Sequence, residues 1–185
     1  GKHVRAARMS YVGEPGWEIT MKAENAATIY MALVNAGARP AGLYAQTSMR
    51  IEKGFCAMGH ELDSDVSPVD TGLDFATRKE GGFIGAEALA ERRKIKGRSS
   101  LISLKFHDEK AVPLGHEPIY YDGDIIGQTS SCAFGYRIGK PVALGKVHNR
   151  PSSGTAVKVD IARQLFDATL FTCPLFDAKA QRMKS

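Results

Sequence analysis

Tyr11-Val-Gly-Glu-Pro-Gly-Trp-Glu-Ile-Thr20 and Met49-Arg-Ile-Glu-Lys-Gly-Phe-Cys-Ala-Met-Gly59 decide how this chain is read. Each sets carboxylates beside aromatic residues on a backbone that glycine can turn. Carboxylates accept paired hydrogen bonds and aromatic faces pack on rings, so the equipment suits a flat, hydrogen-bonding heterocycle. Neither stretch supplies an activated nucleophile or a set of metal ligands. Around the first stretch, alternation over 3–10 and 15–21 predicts two strands. Gly13-Glu14-Pro15-Gly16 is the turn between them, with Pro15 fixing φ and Gly16 taking the positive φ of a type II turn. Asn25 then reads as a helix cap. Ala26, Ile29, Tyr30, Leu33 and Val34 follow at helical spacing, and Gly37 stands just past the end. Strand, turn, strand, helix is one part of an α+β layer. The second stretch predicts a helix over 44–53 with Leu43, Met49 and Ile51 as its buried contacts and Gly54 as its stop.

Downstream, residues 59–68 read as a polar loop carrying His60, Glu61, Asp63 and Asp65. A strand is expected near 72–77, and a helix is expected to begin at Phe83-Ile-Gly-Ala-Glu-Ala-Leu. That helix runs out in Arg92-Arg-Lys-Ile-Lys-Gly-Arg98, where the texture of the sequence changes. After it come six short strand candidates: 101–106, 117–121, 125–131, 142–147, 156–161 and 165–172. Gly, Pro, Asp and Asn signals separate them, and Asp122-Gly123 makes a hairpin turn. Short strands at this spacing indicate a small antiparallel barrel or sandwich. The expected architecture is α+β in two domains, an α/β layer over 1–96 and a small β domain over 97–185.

A chain of 185 residues with 43% hydrophobic content can bury a substantial core. No apolar run approaches the roughly 20 residues of a membrane span. The start, Gly1-Lys-His-Val-Arg, lacks a signal-peptide pattern, and the chain reads as an excised piece of something longer. Cys56, Cys132 and Cys173 are odd in number and far apart, which suits reduced thiols in a cytoplasmic setting, or a mitochondrial matrix if the source is eukaryotic. The net charge of +5 favours anionic partners without specifying nucleic acid, and no membrane partner is expected.

The motifs, taken together, carry a resemblance. Tyr11-Val-Gly-Glu-Pro-Gly-Trp-Glu resembles the "YTGE-x-G-x-E" segment of the glycine-cleavage T-protein (aminomethyltransferase) family. Ser48-Met-Arg-Ile-Glu-Lys-Gly resembles its "SLRLE-x-G" helix. Gly59-His-Glu-Leu with Ser67-Pro-Val-Asp-Thr-Gly-Leu, Phe83-Ile-Gly-Ala-Glu-Ala-Leu, and Gly127-Gln-Thr-Ser-Ser with Ala143-Leu-Gly-Lys-Val are similar to further family segments, in order. Arg50-Ile-Glu-Lys-Gly-Phe-Cys-Ala-Met-Gly and Ser131-Cys-Ala-Phe-Gly-Tyr-Arg-Ile-Gly-Lys-Pro-Val-Ala look like the versions found in sarcosine and dimethylglycine dehydrogenases. The resemblance implies a partial folate-binding α/β layer followed by the family's C-terminal β-barrel. It implies tetrahydrofolate as the one-carbon acceptor. It also implies an FAD-dependent N-methyl amine oxidation carried by a missing N-terminal half of the same parent, since no G-x-G-x-x-G fingerprint is present here. The aspartate that assists folate chemistry in the family belongs to that missing part, so no catalytic residue is assigned in this chain and the fragment alone is expected to be inactive.

Glu18 is the leading candidate for binding, because a carboxylate can accept two adjacent N–H donors on a pterin edge. The alternative is a glutamate on the exposed face of a strand. Tyr11 could pack on the ring or fill the core, as could Trp17. Tyr44 and Gln46 stand where the family has "A-A-R-D", and Gln46 replaces its folate-contacting arginine, so any contact there is neutral. Arg50 and Glu52 read as a structural pair. The acidic loop at 60–65 matches neither calcium nor zinc spacing and reads as solvated. The basic run 92–98 reads as a solvated helix end, or else as an anion-attracting rim. Two other functions remain open: a folate-dependent aminomethyltransferase or demethylase without a flavin domain, and a non-catalytic scaffold.

Overall fold

A computed structural model describes residues 1–184. Strand β1 (Arg5–Arg8) pairs antiparallel with β2 (Trp17–Thr20), Ala7 standing opposite Glu18. The turn between them differs from the type II expectation. Gly13, not Gly16, takes the positive φ (79°), and its amide is held by the Ser10 hydroxyl at 2.9 Å. Gly16 is needed for a different reason: a Cβ there would lie 2.8 Å from the Met9 carbonyl oxygen. Helix α1 (Ala26–Asn35, Ala-Ala-Thr-Ile-Tyr-Met-Ala-Leu-Val-Asn) starts where expected, but the Asn25 side chain does not cap it. Asn25 instead ends a 3₁₀ turn (Ala23–Asn25) and is buried. At the other end Gly37 does close the helix. It takes φ 101°, its amide reaches Val34 O (2.9 Å), and the Ala38 amide reaches Leu33 O (3.0 Å), which satisfies two orphan carbonyls.

Helix α2 (Leu43–Glu52) buries a polar face: Ser48, Arg50, Ile51 and Glu52 are inside, while the expected core residue Leu43 is exposed. The strand expected near 72–77 is absent among the described residues. Residues Asp74–Ala76 form a 3₁₀ turn, because the Thr77 hydroxyl and amide both bond back to Asp74 and curl the chain. Helix α3 (Ala86–Lys94) starts later than predicted. Gly85 at φ 87° breaks the chain before it and leaves Phe83 and Ile84 outside the helix.

The second half closes into a barrel. Its strands are β3 (Ser100–Phe106), β4 (Pro118–Tyr121), β5 (Asp124–Gly135), β6 (Lys140–Val147), β7 (Thr155–Ile161) and β8 (Gln164–Phe171). The order around it is β3-β6-β5-β4-β7-β8, every pair antiparallel, with β8 returning to β3. Closure removes both sheet edges. Ile102, Leu104, Phe106, Ile119, Val159 and Leu170 fill the interior. Strand β6 is apolar on both faces for a visible reason. Ala143 and Val147 point inward, while Val142 and Leu144 point outward against Ile51 of α2. Asp122 and Gly123 both take positive φ, as a two-residue hairpin turn of the expected kind requires. The α+β class and the six-stranded barrel both hold, and the alternative, a sandwich, is not what forms.

Candidate functional site

Helix α2 carries the chemistry that joins the two halves. Residues two apart on a helix point away from each other, so Arg50 and Glu52 do not pair. The Arg50 guanidinium turns to Glu61, Nη1 to Oε2 at 2.9 Å, and donates to the Ser131 hydroxyl on β5 at 2.7 Å. It also reaches the Phe55 carbonyl oxygen at 3.2 Å. Glu61 is 0% exposed and accepts from the Ala57 amide (2.9 Å) and the Ser130 hydroxyl (2.6 Å). The expected solvated acidic loop is therefore wrong at this residue, while His60, Asp63 and Asp65 do lie exposed. Burial pushes the Glu61 carboxyl up. The hydroxyls of Ser130 and Ser131, the Ala57 amide and the Arg50 charge outweigh it and hold the group below the ordinary value. Glu61 is thus a fixed anion, unsuited to take a proton from Ser130.

Glu52 pairs across the seam as well. It accepts the Arg137 and Ile138 amides at 2.7 and 3.1 Å and the Arg137 Nε. Arg137 also donates to Met49 O (2.6 Å) and Val12 O (3.1 Å), and its guanidinium lies 3.8 Å over the Phe176 ring. Lys53 closes the same seam onto Asp177, Nζ to Oδ2 at 3.2 Å. These contacts tie the β1–β2 turn, α2, the barrel and the C-terminal segment into one charged joint.

Two of the three thiols, Cys56 and Cys132, are partly buried and held in the protonated form. Burial, with the Glu61 charge behind it, pushes Cys56 up to about 11. Burial, with the Glu117 charge behind it, pushes Cys132 up to about 12. Among the described residues no group of three or more His, Cys, Asp and Glu side chains is placed to hold a metal. The basic run is largely committed. Arg92 grips buried Asp70 through Nε (3.0 Å) and Nη2 (2.7 Å), and Arg93 does the same to Asp74. Arg98 Nε lies 3.6 Å from the second Asp70 oxygen. A cleft of about 740 Å³ beside it is lined by Thr71, Arg98, Ser103, Asn149, Arg150 and Cys173.

The residues singled out for ligand binding sit elsewhere. Glu18 is exposed on β2, and Tyr44 and Gln46 are exposed in the first turns of α2. Tyr11 is the one among them with a tertiary anchor. Its hydroxyl donates to Cys56 O at 3.0 Å, and its ring stacks near Phe55, centroids 6.4 Å apart. Trp17 is 64% exposed and belongs to no core within this chain. Of the joint built from Arg50, Glu61, Ser131, Glu52 and Arg137, the sequence points to a structural role for Arg50, as a salt-bridged tie from its helix to the neighbouring loop, but not to Ser131 or Arg137. The i,i+2 spacing of Arg50 and Glu52 was the available signal that each needed another partner.

Comparison with known proteins settles the family. The family model described as GCVT N-terminal domain matches residues 1–81, and the glycine cleavage T-protein C-terminal barrel domain matches residues 100–177. The chain belongs to the glycine-cleavage T-protein family. Its relatives include two kinds. Mitochondrial dimethylglycine dehydrogenase of Mus musculus is 34% identical over 179 residues, 93% of this chain and 21% of that protein. Aminomethyltransferase of Bacillus subtilis is 28% identical over 183 residues, 95% of this chain and 50% of that protein. Among solved structures, aminomethyltransferase T from Bartonella henselae superposes with a TM-score of 0.84 at 26% identity, covering 94% of this chain and 50% of that one. The chain thus spans about half the length of the T-protein aminomethyltransferases it matches and about a fifth of the dehydrogenase. Among the described residues no helix is long and apolar enough to cross a membrane.

Proposed function

We propose that this chain supplies part of the folate-binding, one-carbon-transfer module of an N-methyl amine dehydrogenase of the sarcosine or dimethylglycine type. The observation that carries this reading is the chain-long match, at 34–35% identity, to dimethylglycine and sarcosine dehydrogenases. The aminomethyltransferases it matches lie at 28–32%. A folate-dependent aminomethyltransferase is the second reading, favoured by the fold neighbour, of which this chain covers half.

The residues present suit a pterin in their chemistry. The Glu18 carboxylate stands on the β1–β2 ribbon, open to accept two adjacent N–H groups. Tyr11, in the turn between the two strands, offers an aromatic ring held near Phe55, and Tyr44 and Gln46 offer exposed groups at the start of α2. Gln46 is neutral, so it contributes a hydrogen bond without a charge. Tetrahydrofolate bound there accepts a one-carbon unit; this chain's part is to hold and orient the ring. FAD and the N-methyl amine are assigned to the remainder of the dehydrogenase.

The test is a thermal melt with tetrahydrofolate. At a hundred times its dissociation constant the ligand stabilises by about 2.7 kcal/mol. Glu18→Gln, which keeps shape and loses charge, is expected to remove most of that shift. A melt unmoved by folate in a protein that contains the rest of the module overturns the reading. A dinucleotide fingerprint encoded next to this segment selects the dehydrogenase over the aminomethyltransferase.

A further inference from the structure

The wall of the barrel opens beside β3. Strand β3 pairs with β6 from Ser100 onward but with β8 only from Ser103, because β8 ends at Phe171 and the chain turns off through Cys173 and Pro174. The segment 69–72 hangs on the uncovered start of β3, where the Leu101 amide donates to Asp70 O at 2.8 Å. Between these parts lies the cleft of about 740 Å³. Small-molecule sites run to roughly 300–1,000 Å³. None of Glu18, Tyr11, Tyr44 and Gln46 lines this cleft, so it stands apart from the residues assigned to a pterin.

Its polar groups suit an anion. Arg92 holds Asp70 Oδ2 and Arg93 holds Asp74 Oδ1, so both carboxylates at the cleft already have a cation. Arg98 and Arg150 are surplus to them. The Arg98 Nε lies 3.6 Å from Asp70 Oδ1, an ionic approach too long for a hydrogen bond, and both atoms are buried without a hydrogen-bond partner. Arg150 is exposed and, among the described residues, has no ion-pair partner. The two arginines are held on one rim by the residues that precede them. The Asn149 amide bonds Gly97 O at 3.4 Å, and a Cβ at Gly97 would lie 2.2 Å from Asn149 Oδ1. Ser103 stands between the inward-facing Ile102 and Leu104, so its hydroxyl turns to the outside of the barrel. It is only 5% exposed, and among the described residues its hydroxyl has no hydrogen-bond partner. Polar groups buried without partners cost stability, which a bound ligand recovers. Two adjacent guanidiniums and a hydroxyl offer more donors than the two oxygens of a carboxylate take up, and they match the three oxygens of a phosphate. The geometry points to this cleft as a binding site for a small phosphate monoester. Arg98, Arg150 and Ser103 hold the phosphate, and the organic part lies on Val69, Leu101 and Pro174.

The test titrates phenyl phosphate into the 185-residue chain by calorimetry, at an ionic strength held constant with chloride. Phenyl phosphate is expected to bind one to one. Inorganic phosphate, which lacks the apolar part, and benzoate, which lacks the third oxygen, are expected to bind about tenfold more weakly. Affinity for phenyl phosphate falls below about pH 6, where the phosphate takes up its second proton. Bound phenyl phosphate slows alkylation of the exposed Cys173, at the edge of the cleft, by N-ethylmaleimide in step with occupancy. Arg150→Gln keeps the Tm of the unsubstituted chain and weakens binding about tenfold, because Arg150 supports no contact within the chain. Arg39→Gln, on an exposed arginine outside the cleft, leaves binding unchanged. The absence of heat at millimolar phenyl phosphate overturns the inference. So does benzoate or inorganic phosphate binding as tightly as the ester, or alkylation of Cys173 at an unchanged rate under saturation. Where Arg150→Gln does not fold, the benzoate comparison and the protection of Cys173, both made on the unsubstituted chain, decide. No folate is present in these measurements, so this site and folate binding can fail independently.

Discussion

The barrel and the N-terminal layer answer the same problem in opposite ways. Residues 100–171 close a sheet on itself, leave no edge and fill the inside with Ile102, Leu104, Phe106, Ile119 and Leu170. Residues 5–35 form a two-stranded ribbon and a helix with no buried residue between Ala26 and Asn35. The first buries its own apolar side chains, while α1 in the second buries none. Local signals produce helices and strands in both, but only closure removes apolar surface from water within one segment. Between them lies α2, whose buried face sets the charges of Arg50 and Glu52 beside Ile51, which packs on Val142 and Leu144 of the barrel.

The sharpest way to break this contrast is to hollow the barrel. Phe106→Ala removes a fully buried ring from the interior and is expected to cost about 3–5 kcal/mol, a fall in Tm on the order of 10 °C. A melt that hardly moves would mean that the barrel is not the chain's main source of stability.

Next in size is the joint. Glu61→Gln leaves the Arg50 guanidinium buried without its counter-charge, and breaking such a pair costs about 3–4 kcal/mol. The pH dependence follows from the direction of the Glu61 shift. Its folded carboxyl lies below the ordinary 4.5, so its contribution is complete above that value and is lost as pH falls through the lower, folded one. The stability gap between wild type and Glu61→Gln should therefore be constant near neutrality and narrow in acid. Chemical denaturation at several pH values measures it. A gap that widens in acid would reverse the assigned direction.

The smallest effect sharpens the contrast from the other side. Leu33→Gln on α1 should change the stability of this chain alone by no more than about 0.5 kcal/mol, because the residue is exposed and contacts no core. A loss near that of Phe106→Ala would show that α1 is packed in solution.

How much was legible follows the same division. The six barrel strands were readable because each is a short apolar run bounded by turn residues, and Asp122-Gly123 specifies its hairpin locally. The third expected strand, 125–131, runs on to Gly135 because a bulge between Thr129 and Cys132 bends β5 toward α2, which no local pattern announces. The strand expected at 72–77 failed because alternation said nothing about a partner, and Thr77 bonded back to Asp74 instead. Leu43 looked like core by type and is 79% exposed, since it opens α2 before the turn whose face packs inward. The Glu18, Tyr11, Tyr44 and Gln46 set came from family resemblance; in the structure Glu18, Tyr44 and Gln46 are exposed and Tyr11 is held at Cys56 and Phe55.

The amino-acid sequence by itself determined the order of elements, the barrel, the family and the residue types offered to a ligand, because these depend on spacing over a few residues. Only the tertiary structure decided that Arg50 belongs to Glu61 and Ser131, and Glu52 to Arg137. Those partners are 11, 81 and 85 residues away, and only the packing of α2 against the loop at Glu61, strand β5 and the β5–β6 turn brings them within hydrogen-bonding distance.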